Sequence, residues 1–257
     1  MKYILAFFTA LLLAPLATLH GAERGSTKLK PPFQGTIFIS AEIIKSSDPT
    51  AYSGLSEAGQ GLRKMYDRRR NDWVRHKAFL FIAKYDDGLQ IEVQVNPEFG
   101  STENAQKVAT KYAEVIGRLT TSLRKDVETV WIHKGVKPFG GGNNNLLIHT
   151  GQAARYVRDG ILEETLVHEA AHTSLDPHYA RSKKWQAAQK ADRQFISTYA
   201  KDNSRREDIA ESYLPYFAIR YRPNRISKSL ARKITETIPH RIKYFDSLDL
   251  QMHPVKK

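Results

Sequence analysis

Apolar positions along this chain follow two regimes. Up to about residue 150 they come in short β-branched and aromatic runs separated by turn residues. Beyond Ile161 they recur every three or four positions. Phe33 to Ile44, rich in Ile, Phe and Thr, reads as a strand and is followed by turn chemistry at Asp48-Pro49. Ala51 to His76 shows no sustained period and reads as irregular or part-helical. Lys77 to Tyr85 and Leu89 to Val95 are two further strands, and Asp86-Asp87-Gly88 between them is a hairpin signal. Thr102 to Ile116 carries Ala105, Val108, Ala109, Tyr112 and Ile116 at helical spacing, which predicts a helix laid on the sheet. Val127 to His133 and Leu146 to His149 read as strands. The glycine- and asparagine-rich stretch from Gly140 to Asn145 lacks the Lys-Ser/Thr ending of a phosphate loop, and no helix follows it directly. It reads as a loop beside a functional strand.

The helical regime predicts Ile161 to Ser174, Ser182 to Tyr199 and Arg206 to Tyr221 as helices. Ser227 to Leu248 holds one or two more, with Pro239 placed to start one. Strands with one helix, then helices only, make an α+β architecture. The expected organisation is a single domain over 33–257, with a sheet part at 33–150 and a helical part at 151–257.

The first residues are set apart. Met1-Lys2 is a positive start, Ile4 to Ala14 is an apolar run ended by Pro15, and small residues lead to Ala22. This pattern predicts a cleaved signal peptide over 1–22, too short to span a bilayer, and a flexible polar leader over 23–32. The expected location is therefore secreted or periplasmic, with no stable membrane anchor after cleavage.

Composition narrows the chemistry. Forty Lys and Arg against 27 Asp and Glu give a formal charge of +13. The densest basic run, Arg63-Lys64, Arg68 to Arg70 and Arg75 to Lys77, interleaves Tyr66 and Trp73. An exported protein rarely meets nucleic acid, so none is expected as a partner. A solvated face, or weak contact with anionic envelope polymers, fits better. The chain has no cysteine. That excludes disulfides, thiol nucleophiles, iron–sulfur clusters and Cys-bound zinc. Any metal must be held by His, Asp and Glu.

His168-Glu169-Ala170-Ala171-His172 lies inside a segment that reads as helix. Histidines four apart share a face, so both imidazoles can reach one zinc ion, and Glu169 can act as general base on the water it activates. A catalytic zinc needs a third protein ligand. His178, ten residues after His168, is one candidate. It has metzincin spacing, but Leu175 stands where that pattern has glycine. Glu207 is the other, opening the helix that carries Glu207-Asp208-Ile209-Ala210-Glu211. Glu211 shares a face with Glu207 and suits the free N–H of a zinc-bound histidine, and Asp208 or Glu211 itself is a further alternative ligand.

The pentad places the chain among the zincin metallopeptidases. Together with Tyr199, the polar turn Ala200 to Asn203 and Glu207 to Glu211, it resembles the gluzincin-type catalytic domain of anthrax lethal factor. The likeness covers roughly Ile161 to Tyr221. It implies one catalytic zinc bound by His168, His172 and Glu207, with Glu169 as base. Tyr199 would stabilise the oxyanion or protonate the leaving amine, with Tyr213 and Tyr216 as alternatives. It also implies a zincin-like twisted sheet whose edge strand binds extended substrate, a role for which Leu146 to His149 is the natural choice. The expected function is a secreted zinc endopeptidase acting on peptide or protein. The rivals are a zinc amidase acting on cell-wall amide bonds, and a non-catalytic exported protein that binds anionic polymer or a protein partner.

Overall fold

The computed structural model describes residues 30–256, so the predicted signal peptide and most of the leader lie outside the described residues. Among the described residues no helix is long and apolar enough to cross a membrane. One six-stranded mixed sheet is followed by helices, as an α+β chain requires.

β1 (Tyr52–Asp67) and β2 (Asp72–Tyr85) form a long antiparallel hairpin. β3 (Gln90–Val95) returns beside β2 through the predicted turn, where Gly88 has φ 86°. α1 (Thr102–Gly117), capped by Ser101, buries Ala105, Ala109, Tyr112 and Ile116 against the sheet. It carries the chain back, so β4 (Thr129–His133) runs parallel to β3, after the short α2 (Thr121–Arg124). β5 (Gly140–Gly142) and β6 (Asn145–His149) form a second hairpin. Its turn residues Asn143 and Asn144 have φ 50° and 59°, the left-handed pair a two-residue turn demands. β6 lies parallel to β4, giving the order β1-β2-β3-β4-β6-β5. The glycine-rich stretch is thus the edge strand, and Leu146 to His149 is an inner one, contrary to expectation.

Three other expectations are corrected. Ala51 to His76 is most of the β1–β2 hairpin, not irregular or helical. Its glycines and charges hide the strand because distal residues pair only with one another; β3 begins pairing at Phe79. Phe33 to Ile44 is no strand. It is an extended strap across the helical half, joined by one bridge, Phe33 to Ser197. Its backbone N–H groups are used by buried carboxylates: Ile37 donates to Glu211 (3.0 Å), and Ile39 and Ser40 donate to Glu164 (2.8 and 3.0 Å). Ser182 to Tyr199 is broken into α6 (Lys183–Asp192) and α7 (Thr198–Asp202), because Arg193 turns left-handed at φ 55°.

The remaining helices are α3 (Thr150–Arg158), which sequence pattern did not suggest, α4 (Leu162–Ser174), α5 (Asp176–Tyr179), α8 (Asp208–Tyr221), α9 (Lys228–Thr237) and α10 (Pro239–Asp246). Pro239 opens the last of these, as its missing N–H allows.

Alternation along the strands sorts two faces. Val93, Val130, Ile132, Leu146 and Ile148 face the helices and form the main core. Met65, Ala78, Leu80, Trp131 and Leu147 form a smaller cluster on the other face. Among the described residues no helix contributes to that second cluster; the β1–β2 hairpin brings Met65, Ala78 and Leu80 to Trp131 and Leu147. A register shift between Glu57 and Gln60, with Gly59 at φ 75°, bends β1 as a bulge does. Trp73 near the hairpin tip then meets Trp131 of β4 edge-on at 5.3 Å.

Candidate metal centre

The pentad lies on α4, as read from sequence. α4 packs on α8, and the start of α8 delivers the acids. His168 Nε2 and His172 Nε2 are 3.1 Å apart. Glu207 Oε2 lies 3.3 Å from the first and 3.0 Å from the second. Ligand atoms on a tetrahedral zinc, at bonds of 2.0–2.1 Å, stand ~3.3 Å from one another. The three atoms therefore already hold the spacing of three corners of such a centre. Glu207 is 4% exposed, and its Oε2 has no hydrogen-bond donor within the described residues.

The outer nitrogens are also engaged. His172 Nδ1 meets Asp176 Oδ2 at 2.7 Å, and His168 Nδ1 lies 3.4 Å from Glu211 Oε1. A carboxylate on the far nitrogen fixes which nitrogen keeps its proton and aims the other lone pair inward. Glu211 is wholly buried and is held in turn by Ser197 Oγ and the Ile37 N–H. The strap thus reaches the centre through one carboxylate.

Charge in the cluster follows from these contacts. Burial disfavours a charged His172, but Asp176 and Glu207 outweigh it and raise the imidazole to about 10. Burial also works against a charged Glu207, yet the two histidines hold its carboxyl well below the usual range. Glu211 moves the other way: burial raises it, and His168 and its hydrogen bonds offset only part. His172 and Glu207 thus stabilise each other's charged forms.

The other candidates separate cleanly. Asp208 points away and is taken by Arg241 Nε and Gln189, each at 2.9 Å, so it is no alternative ligand. Arg241 is fully buried and also bonds Asp192, which ties α10 to α6 and α8. His178, on α5 beyond the helix exit, turns to Asp126 Oδ2 at 2.7 Å and is half exposed. The structure does not bring it to His168 and His172, so the metzincin-like arrangement is not formed. Tyr213 is fully buried with its hydroxyl 3.2 Å from Thr120, and Tyr216 packs on Phe245. Neither reaches the centre. Tyr199 does: its ring stacks on His168 at 6.5 Å, and burial together with Glu207 raises its phenol.

These groups open into a cleft of about 770 Å³. Glu169 lines it beside His168, with Tyr199 and Tyr156 among the other walls. Gly141 and Gly142 of the edge strand line it too. A Cβ on Gly141 would lie 1.9 Å from the carbonyl oxygen of Glu169, so only glycine lets β5 run this close to α4. Gly142 N–H donates to Thr173 Oγ1 at 2.8 Å and fastens the strand to the helix. Arg68, Arg181, Arg205 and Arg206 stand exposed at the rim, and none forms an ion pair among the described residues.

Asp176, Tyr156, Arg68 and Gly141 are among the cleft residues that sequence reasoning missed. Asp176 had a signal, four residues after His172. Gly141 lay in a glycine run read as a loop. Arg68 and Tyr156 come from a hairpin tip and a helix whose placement only the fold supplies. No protein family, curated protein or solved structure matches this chain, so its chemistry has to be argued from its own side chains.

Proposed function

We propose that the protein is an exported zinc-dependent endopeptidase of the zincin type. The observation that carries this reading is the convergence of His168 Nε2, His172 Nε2 and Glu207 Oε2 at 3.0–3.3 Å, with Glu169 beside them on the cleft wall. His168, His172 and Glu207 would hold the metal, and zinc bound there would supply Lewis acidity toward a carbonyl and a water. Two imidazoles and a carboxylate form a donor set that suits it.

The chain's own residues account for the rest. Glu169, with no hydrogen-bond partner for its carboxylate among the described residues, takes the proton from the attacking water and hands it to the departing amine nitrogen. Tyr199 faces the same space and donates its hydroxyl to the developing oxyanion. Asp176 and Glu211 keep the two imidazoles oriented. The β5 edge lies along the cleft, so an extended peptide can add to it as a further strand. The unpaired arginines at the rim favour substrate segments that carry negative charge.

Elemental analysis of purified protein, with Glu207→Ala and His178→Ala alongside, tests the centre. Glu207→Ala should lose one zinc per chain relative to wild type, and His178→Ala should lose none. Cleavage of an acidic peptide library tests the reaction. Zinc at this centre with no peptide turnover would move the reading to a cell-wall amide or to a binding role.

A further inference from the structure

A second set of histidines lies on the sheet face away from the main core. Asp67 ends β1, His76 lies on β2, and His133 and His149 end the adjacent strands β4 and β6 in register. Strand alternation sends all four to the face that carries Met65, Leu80, Trp131 and Leu147. β1 and β6 are four places apart in the sheet, a span of about 19 Å at normal strand spacing. Yet Asp67 Oδ1 lies 3.8 Å from His149 Nε2. The bent hairpin has carried Asp67 and His76 across to the ends of β4 and β6.

Packing does not explain what these side chains do there. Asp67, His133 and His149 are at most 1% exposed. His133 Nε2 and both ring nitrogens of His149 have no hydrogen-bond partner among the described residues. Buried polar groups are rarely left so, and His133, stacked 5.4 Å from His149, is also one of three residues here whose metal-donor atoms lie close together. One nitrogen of His76, one of His133 and an oxygen of Asp67 lie within 4.8 Å of one another. His76 is only partly buried, so its ring can swing to close that distance, and solvent can fill a fourth position. Arg69 grips Asp67 from outside through Nε and Nη2 (2.9 and 2.7 Å), which keeps the carboxylate ionised and oriented. Asn96, its Oδ1 held by the Glu98 N–H, sets its amide nitrogen 2.9 Å from His133 Nδ1 and 3.4 Å from His76 Nε2, so a cation taking those lone pairs must turn the amide aside.

We propose that Asp67, His76 and His133 form a second, structural site for a borderline divalent cation such as zinc, which pins the β1–β2 hairpin tip across the sheet. Imidazole-rich donors with one carboxylate suit zinc, cobalt and nickel rather than magnesium or calcium. The role is mechanical: a chain without cysteine has no disulfide to hold a long overhanging hairpin. The same tip bears Arg68, so the site would also set one wall of the cleft.

The test is cobalt binding to the full chain carrying His168→Ala and His172→Ala, which removes the first centre. Visible absorption and equilibrium dialysis read occupancy, and circular dichroism confirms folding. One cobalt per chain is expected to remain. Adding His76→Ala, at a partly buried position, should weaken it by about tenfold or more. Asp67→Asn should do the same. Cobalt should also raise the melting temperature of the parent double variant but not of the His76→Ala form. A folded double variant that takes up no cobalt overturns the proposal, leaving the orphan nitrogens to buried water. Uptake undiminished by both added substitutions overturns it as well. Neither outcome touches the first centre, whose zinc is read in the wild-type and Glu207→Ala proteins.

Discussion

The α4–α8 centre and the strand-end cluster use the same side chains and are built in opposite ways. At the first, two histidines come from one helix at i and i+4, and one packed helix supplies the carboxylate. Local geometry does most of the work there. At the second, the proposed donors come from positions 67, 76 and 133 on three strands, brought together by one bent hairpin. A helix places its ligands as soon as it forms; a hairpin places them only when the sheet is complete. Both sites should answer to loss of a donor side chain, but the strand-end cluster should answer to changes in the hairpin's fold as well.

The sharpest way to break the comparison is Glu169→Gln. If the helical centre is chemical, this change should lower turnover by about 10²–10⁴ while zinc content stays at the wild-type level. Peptide cleavage and elemental analysis of the same preparation check both halves. Wild-type turnover in the variant would remove Glu169 from the mechanism. Asp176→Asn comes next. It keeps the shape but takes the charge from His172 Nδ1, and zinc affinity at the helical centre should fall about 10- to 100-fold, measured by competition with a chelator. The strand-end cluster should not respond. Equal loss at both sites would mean that they are coupled and not independent.

Gly141→Ala probes the contact between the two halves of the molecule. The added carbon would fall inside the backbone of Glu169, so β5 or α4 must move. A loss of about 3 kcal/mol is expected in urea unfolding, together with lost turnover. An alanine variant as stable as wild type would show that the edge strand does not sit against the pentad.

Legibility in sequence followed the same division. Within the pentad and between Glu207 and Glu211, helical spacing turned sequence distance into spatial distance, whereas Tyr199 was suggested only by the family resemblance. The choice of Glu207 over His178 and Asp208 was not settled by spacing, since it depends on Asp126 and Arg241 drawing the other two away. The strand-end cluster left no local trace. β1 has Gly54, Gly59 and Gly61 and no β-branched residue, so its strand character comes from pairing rather than propensity. The strap at Phe33 to Ile44 failed in the reverse sense. Its residues favour a strand, but its N–H groups are claimed by Glu164 and Glu211, and no sheet edge is beside it. The edge strand was misplaced because three glycines look like a loop until a helix is found packed on them.

The strap gives the smallest of the expected effects, and one with a definite sign. Glu164 on α4 is 2% exposed. Burial raises its carboxyl to about 7, although the Ile39 and Ser40 N–H groups pull it down. In the unfolded chain it titrates near 4.5. Between these values the folded protein keeps a proton that the unfolded chain has released. The stabilising contribution is complete below pH 4.5 and is lost as pH rises through 7, the reverse of the usual carboxylate. Its share of the change between pH 5 and 7 is about 2 kcal/mol. Urea unfolding across that range, in wild type and Glu164→Gln, isolates it. Glu164→Gln loses an acceptor for one backbone N–H and should be less stable at pH 5, but its stability should fall less steeply toward pH 7. Parallel pH profiles for the two proteins would mean that the strap's donors hold Glu164 ionised throughout, and that burial does not govern its charge.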